Sequence, residues 1–198
     1  MFGNQKDNDF NLPTNKLGEV AFVGSSKRVF KNELLHEGIP FLRGTEVAAY
    51  GMKKRIMPTL FISEKHYEQL VAYSGKPELG DLLLPSICPE GQIWEVDTEE
   101  PFYFKDGRVL WIRPNREALN STYLRYALKS RFEDDFQSVA SGTTFSELKI
   151  INLKNMDLLI PRIESQKQFA DFVAQVDKSR FVCVLASQRF TLAGVSFE

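Results

Sequence analysis

Gly80-Asp81-Leu82-Leu83-Leu84-Pro85 is the stretch whose reading decides the class of fold. An apolar run this short, held between Gly and Pro, cannot make a helix and reads as a buried strand. Downstream, residues 92–96, 101–104 and 108–112 read as consecutive strands. The last two are joined at Lys105-Asp106-Gly107, where Asp-Gly signals a hairpin. Upstream, residues 17–23 and 39–42 read as strands. Leu60-Phe61-Ile62 is an apolar stretch ahead of Ser63, which caps a short helix ended by Gly75 and Pro77. Beyond the strands, Asn120 or Ser121 opens a helix in which Leu124, Leu128, Phe132 and Phe136 recur every four residues. Tyr123 and Ala127 widen that stripe to the face a core helix needs. Strands and helices thus both occur along the chain.

The ends and the connections follow from the same signals. Residues 1–15, rich in Asn and Gln, read as a polar lead-in, and residues 16–162 as the globular domain. Thr144 with Glu147 fits a capping box for a short helix, and Ser165 with Gln168 fits a second one. The latter opens an amphipathic helix, placed at residues 163–190, whose stripe is Phe169, Phe172, Val173 and Val176. Such a helix folds back on its own domain or pairs with a partner. Its period decays after Arg180, and residues 191–198 read as an irregular tail.

The 198 residues are 43% hydrophobic, enough for a sizeable core, and their formal net charge of -1 advertises no nucleic acid. The even balance hides a segregation. Residues 25–76 carry nine Lys/Arg against five acids, residues 77–106 one against eight, and residues 107–162 nine against six. Two basic stretches thus flank an acidic one, either as mixed surface charge or as a phosphate-facing rim. No apolar run spans a bilayer and no signal peptide is visible. Cys88 and Cys183 show neither metal spacing nor a disulfide framework, and read as thiols in a reducing cytoplasm.

Catalysis finds no good candidate residue. His36 and His66 lack metal-site spacing, and no phosphate loop or nucleophile elbow is present. Asp135 with Glu147-Leu148-Lys149 mimics the carboxylate pair and lysine of Mg²⁺-dependent nucleases, but the match is short and degenerate. No metal site and no cofactor are expected on this chain.

Six segments in a fixed order carry a resemblance. They are Ser25-Ser26-Lys27-Arg28-Val29-Phe30, Gly38-Ile39-Pro40-Phe41-Leu42-Arg43, Gly80-Asp81-Leu82-Leu83-Leu84, Asn120-Ser121-Thr122-Tyr123-Leu124-Arg125-Tyr126, Ser141-Gly142-Thr143-Thr144, and Ile160-Pro161 with the helix from Gln166. Together they resemble one target-recognition domain and its trailing helix from the specificity (S) subunit of type I restriction-modification systems. The resemblance implies a globular α+β, mixed-sheet domain that reads half of a split double-stranded DNA target, followed by an amphipathic spacer helix. It implies partners too: methylation (M) subunits that bind S-adenosylmethionine and, through them, a restriction (R) subunit that cuts, with Mg²⁺ on those subunits. The S subunit itself is not catalytic. Members usually carry two such domains and two helices, so the chain reads as a half-subunit or a C-terminal half. Pairing of two copies through the C-terminal helix is left open.

Within that frame the residues divide by chemistry. Ser25, Ser26, Lys27, Arg28 and Lys31 offer hydroxyls and cations in one loop. Arg43 could present a bidentate fork to guanine, or serve a structural salt bridge. Lys53, Lys54 and Arg55, the densest basic cluster, suit phosphate contacts. Ser141, Thr143 and Thr144 make a small polar loop able to approach DNA closely, or a simple connection. The competing reading is a protein-interaction module of the same fold that does not read DNA by itself.

Overall fold

The computed structural model describes residues 2, 3, 5–141 and 147–192. In chain order the first elements are β1 (Thr14–Lys16), α1 (Leu17–Val20), β2 (Ala21–Gly24), a 3-10 turn (Lys31–Glu33), β3 (Ile39–Leu42) and α2 (Gly44–Gly51). Next come β4 (Phe61–Ile62), α3 (Glu64–Ser74), β5 (Leu82–Pro85), β6 (Trp94–Glu95), β7 (Tyr103–Phe104) and β8 (Val109–Pro114). The chain closes with α4 (Ser121–Val139), β9 (Ala140–Ser141), β10 (Glu147–Leu148), α5 (Ile150–Lys154), β11 (Asp157–Leu159) and α6 (Ile163–Leu192).

Strand β5 sits inside a four-stranded antiparallel sheet of order β2-β8-β5-β6. Successive strand residues face opposite sides, and both sides here are covered, which is why the run shows no polar alternation. Leu82 and Leu84, with Leu110 and Ile112 of β8, join the core beneath α4, where Leu124, Leu128 and Phe132 are buried. Leu83, Val109 and Trp111 point the other way, onto Leu42, Val47, Trp94 and Phe104. A second, mixed sheet of order β4-β3-β7 lies on that side. Its outer core of Phe41, Ile62, Leu70 and Tyr103 is shared with α3. The Ser63 side chain accepts from the His66 amide at 3.2 Å, and Asn120 Oδ1 from the Tyr123 amide at 3.0 Å, so both expected caps form.

Several expectations are corrected. The lead-in is packed: β1 pairs antiparallel with β11, and Phe2 stacks edge-to-face on Tyr123 and Phe169. Gln5 is buried because its amide is satisfied at both ends, accepting from the Leu159 amide at 3.0 Å and donating to Tyr123 Oη at 3.1 Å. Burial pushes the Tyr123 hydroxyl up to about 12, although the bond from Gln5 opposes the shift. Residues 17–23 are a helical turn followed by a strand, not one strand. The Asp-Gly hairpin does not exist, since β7 pairs parallel with β3 while β8 pairs with β2 and β5. Strand β7 must cross to the second sheet to bury Tyr103 and Phe104, and the turn at Gly107 redirects the chain between layers. Helix α2, to which the sequence reading assigns no element, is capped at Arg43 by Glu46. Glu147 is a strand residue, while Thr144 lies outside the described residues. Ser165 is inside α6, not at its cap.

Two polar clusters lock the layers. Gln166, fully buried at the start of α6, accepts from the Asn120 amide at 2.8 Å and donates to the Ala118 and Pro161 carbonyls at 3.0 and 2.7 Å. Asp81, also without exposure, accepts from Trp111 Nε1 at 2.8 Å, Arg113 Nε at 3.0 Å and the Glu78 amide at 3.0 Å. Removing one partner of a buried charged network leaves the others uncompensated. Asp81→Ala is therefore expected to lower stability by about 3–5 kcal/mol, read as a fall in the urea midpoint of unfolding.

Candidate nucleic-acid interface

The loop after β2 is held from behind by its own hydroxyls. Ser25 Oγ donates to the Val109 carbonyl at 2.7 Å and accepts from the Gly107 amide at 3.0 Å. Ser26 Oγ donates to the Phe104 carbonyl at 2.6 Å, and the Lys27 amide donates to Tyr103 Oη at 2.8 Å. The two serines thus fasten the loop to the frame, and its cations are what it presents outward. Arg28 is 70% exposed while Nε reaches Asp106 Oδ2 at 3.1 Å. Lys27 Nζ lies 4.0 Å above the exposed Tyr73 ring, and Lys31 is exposed.

Arg43 ends β3 and caps α2. Its amide and its Nε and Nη2 all donate to the Glu46 carboxylate, the shortest at 2.6 Å. Burial alone would raise the Glu46 pKa, yet the hydrogen bonds from Arg43 and the adjacent charge hold it below the ordinary carboxylate value. The same contact raises Arg43. Arg43 therefore serves a structural salt bridge, with its side chain 44% exposed. The adjoining Gly44 faces Pro85 and the Arg108 carbonyl.

Arg108, which the sequence reading passed over, is 57% exposed and pairs with Glu147 of β10. Residue Glu147 is in register with Ser141 of β9, and the Leu148 amide donates to the Ser86 carbonyl at 2.7 Å. These contacts place Arg28, Arg108 and the backbone of Ser141 around the edge where β3 meets α2 and β8 begins, while the Arg43 guanidinium turns to Glu46 and Thr59. Thr143 and Thr144 lie outside the described residues, as does the Asp135 side chain. Arg108 occupies the Glu147 carboxylate, which the nuclease-like spacing would have needed for a metal ion. Among the described residues no three His, Cys, Asp or Glu are grouped to hold a metal, and no helix is long and apolar enough to cross a membrane. Burial pushes the Cys88 thiol up to about 12.

Lys53, Lys54 and Arg55 stand apart from that edge, at the other end of α2. The helix stops where Gly51 presses on residues 92 and 93, with space for no side chain: a Cβ would lie 2.8 Å from their backbone. Lys53 then turns left-handed (φ 57°), and the Lys54 amide donates to the Ala49 carbonyl at 2.8 Å. All three cations line a groove of about 670 Å³ that has Trp94 and Phe102 in its wall and the acids Asp97 and Glu100 among its lining. Lys53 is not free: its Nζ lies 2.6 Å from Asp177 Oδ2 on α6. Along α6 the expected stripe divides, with Phe169 and Val173 turned to the domain and Phe172 and Val176 55% and 40% exposed.

Residues 11–181 match the family of the type I restriction modification DNA specificity domain, and the chain belongs to that family. Solved structures agree at the level of fold. One chain, from a study of complex assembly and conformational transition of the type I R-M system, is 19% identical with a TM-score of 0.62. The HsdS subunit from Thermoanaerobacter tengcongensis is 18% identical (TM-score 0.58), and the type I S subunit from M. genitalium 18% (0.57). These matches cover 92%, 87% and 91% of this chain but 42%, 39% and 44% of the others, so it spans less than half their length.

The Arg43–Glu46 contact has a defined pH signature. A carboxyl lowered on folding stabilises above its unfolded pKa and loses that contribution as pH falls through the folded value. Urea midpoints of the wild type and Glu46→Gln are expected to differ near neutrality and to converge under acid conditions.

Proposed function

We propose that this chain reads one half of a split double-stranded target for a type I restriction-modification complex. Methylation subunits, carrying S-adenosylmethionine, and through them a restriction subunit would perform the chemistry, and the chain would contribute none. The observation that carries this reading is the family match laid over two sets of exposed cations on a rigid α+β frame. Phosphate contacts fix register, while base edges specify sequence. Lys54 and Arg55, for which no ion pair is found among the described residues, suit the first task. Arg28 and Arg108, largely exposed although each meets a carboxylate, stand where a guanidinium can take up either, whereas Arg43 is committed to Glu46. The exposed Phe172 and Val176 support α6 as the element that meets the methylation subunits or a second copy.

Selection from random duplexes at two salt concentrations tests the reading. Enrichment of a short motif supports it. Salt-insensitive binding, or none, would favour the interaction module. Lys54→Ala and Arg55→Ala are each expected to weaken binding to all sequences and to reduce the log–log salt slope by about 0.9. Lys53→Ala is expected to change the slope less, because Asp177 already neutralises Lys53, and Asp177→Asn to steepen it.

A further inference from the structure

The segment Met52-Lys53-Lys54-Arg55-Ile56-Met57 joins three cations to three exposed apolar side chains. Met52 is 47% exposed, Ile56 37% and Met57 86%. Single exposed apolar residues are ordinary on a protein surface. Three on one tightly held loop are not, and such a concentration marks a contact site.

The loop is held at several points. The Met52 amide donates to the Ala48 and Ala49 carbonyls at 3.1 Å, and Tyr50 Oη donates to the Ile56 carbonyl at 3.1 Å. Pro58 follows Met57 and biases it to extended backbone. The cations and Pro58 line the aromatic-walled groove, whereas Ile56 and Met57 do not. Met57 is thus exposed beside the groove and not in its lining.

We propose that Met57 is an apolar wedge that enters a base step of bound duplex DNA, with Lys54 and Arg55 gripping the flanking phosphates. The inference rests on the DNA reading above. Proteins that kink DNA insert apolar side chains between base steps beside basic contacts. Lysine, by contrast, is depleted from the cores of protein interfaces, so the neighbouring cations favour a nucleic acid over an apolar protein partner. Methionine is unbranched and adaptable, which suits entry into a partly opened step.

The test places 2-aminopurine at successive positions of the half-site obtained by selection. The wild-type chain should raise its fluorescence several-fold at one step. Met57→Ala should abolish that rise and lower affinity several-fold with the salt slope unchanged, and Met57→Leu should restore both. Met57 is exposed, and matching thermal melts would show that the variants are folded. Enriched binding with no fluorescence change at any step would overturn the wedge and leave DNA reading intact. An unaltered rise with Met57→Ala would do the same. Loss of methylation-subunit binding alone in Met57→Ala would make the loop a protein contact, again overturning the wedge. Absence of DNA binding by the wild type would remove the underlying reading as well.

Discussion

Asp81 is the constraint on which the arrangement depends. A carboxylate with no exposure is tolerated only when its lone pairs are met, and here strand β8 meets most of them through Trp111 and Arg113. The register Leu82↔Ile112 and Leu83↔Trp111 places those donors beside it. A slip of one residue would send the leucines of β5 to the opposite faces and leave the carboxylate unpartnered. With that register set, Leu82 and Leu84 belong to the α4 core and Leu83 to the core beneath α2.

From this centre the two basic regions acquire their separate positions. The loop carrying Arg28 is fastened by Ser25 and Ser26 to the turn at Gly107 and the end of β7. The loop carrying Lys54 is fixed by the close approach of Gly51 to residues 92 and 93 at the opposite end of α2. Helix α6 joins the second region through Asp177 and Lys53, while Gln166 anchors its start to α4. Exposed pairs such as Lys53–Asp177 add little stability. Their weight lies in local charge: a carboxylate beside a cation lowers its attraction for phosphate. The basic loop and the helix are therefore electrically connected even though they belong to different layers.

Some of this was legible in the sequence, for physical reasons. The β5 run, the Ser63 cap and the Leu124-Leu128-Phe132 stripe are local signals, and each produced the element it implies. The failures share a cause. Lys105-Asp106-Gly107 carries hairpin chemistry, yet β7 buries more by joining β3, a choice made by the second core and not by the turn. The polar lead-in was misread because Gln5 finds partners at Tyr123 and Leu159. The basic residues were identifiable as candidates by type. Their states were not: Arg43 is taken by Glu46, Lys53 by Asp177, and Arg108 emerges only once β10 brings Glu147 beside it.

By itself the sequence determined the periodicities, and with them most strands and the amphipathic helices, because spacing of two or four residues is a local property of the backbone. It also determined the segregation of charge. Tertiary structure alone decided which polar group meets which. Ser25 bonds to a carbonyl 84 residues away and Gln5 to an amide 154 residues away. Pairings of that range carry no spacing signature, since they exist only after packing has excluded water and each buried donor must take the acceptor left within reach.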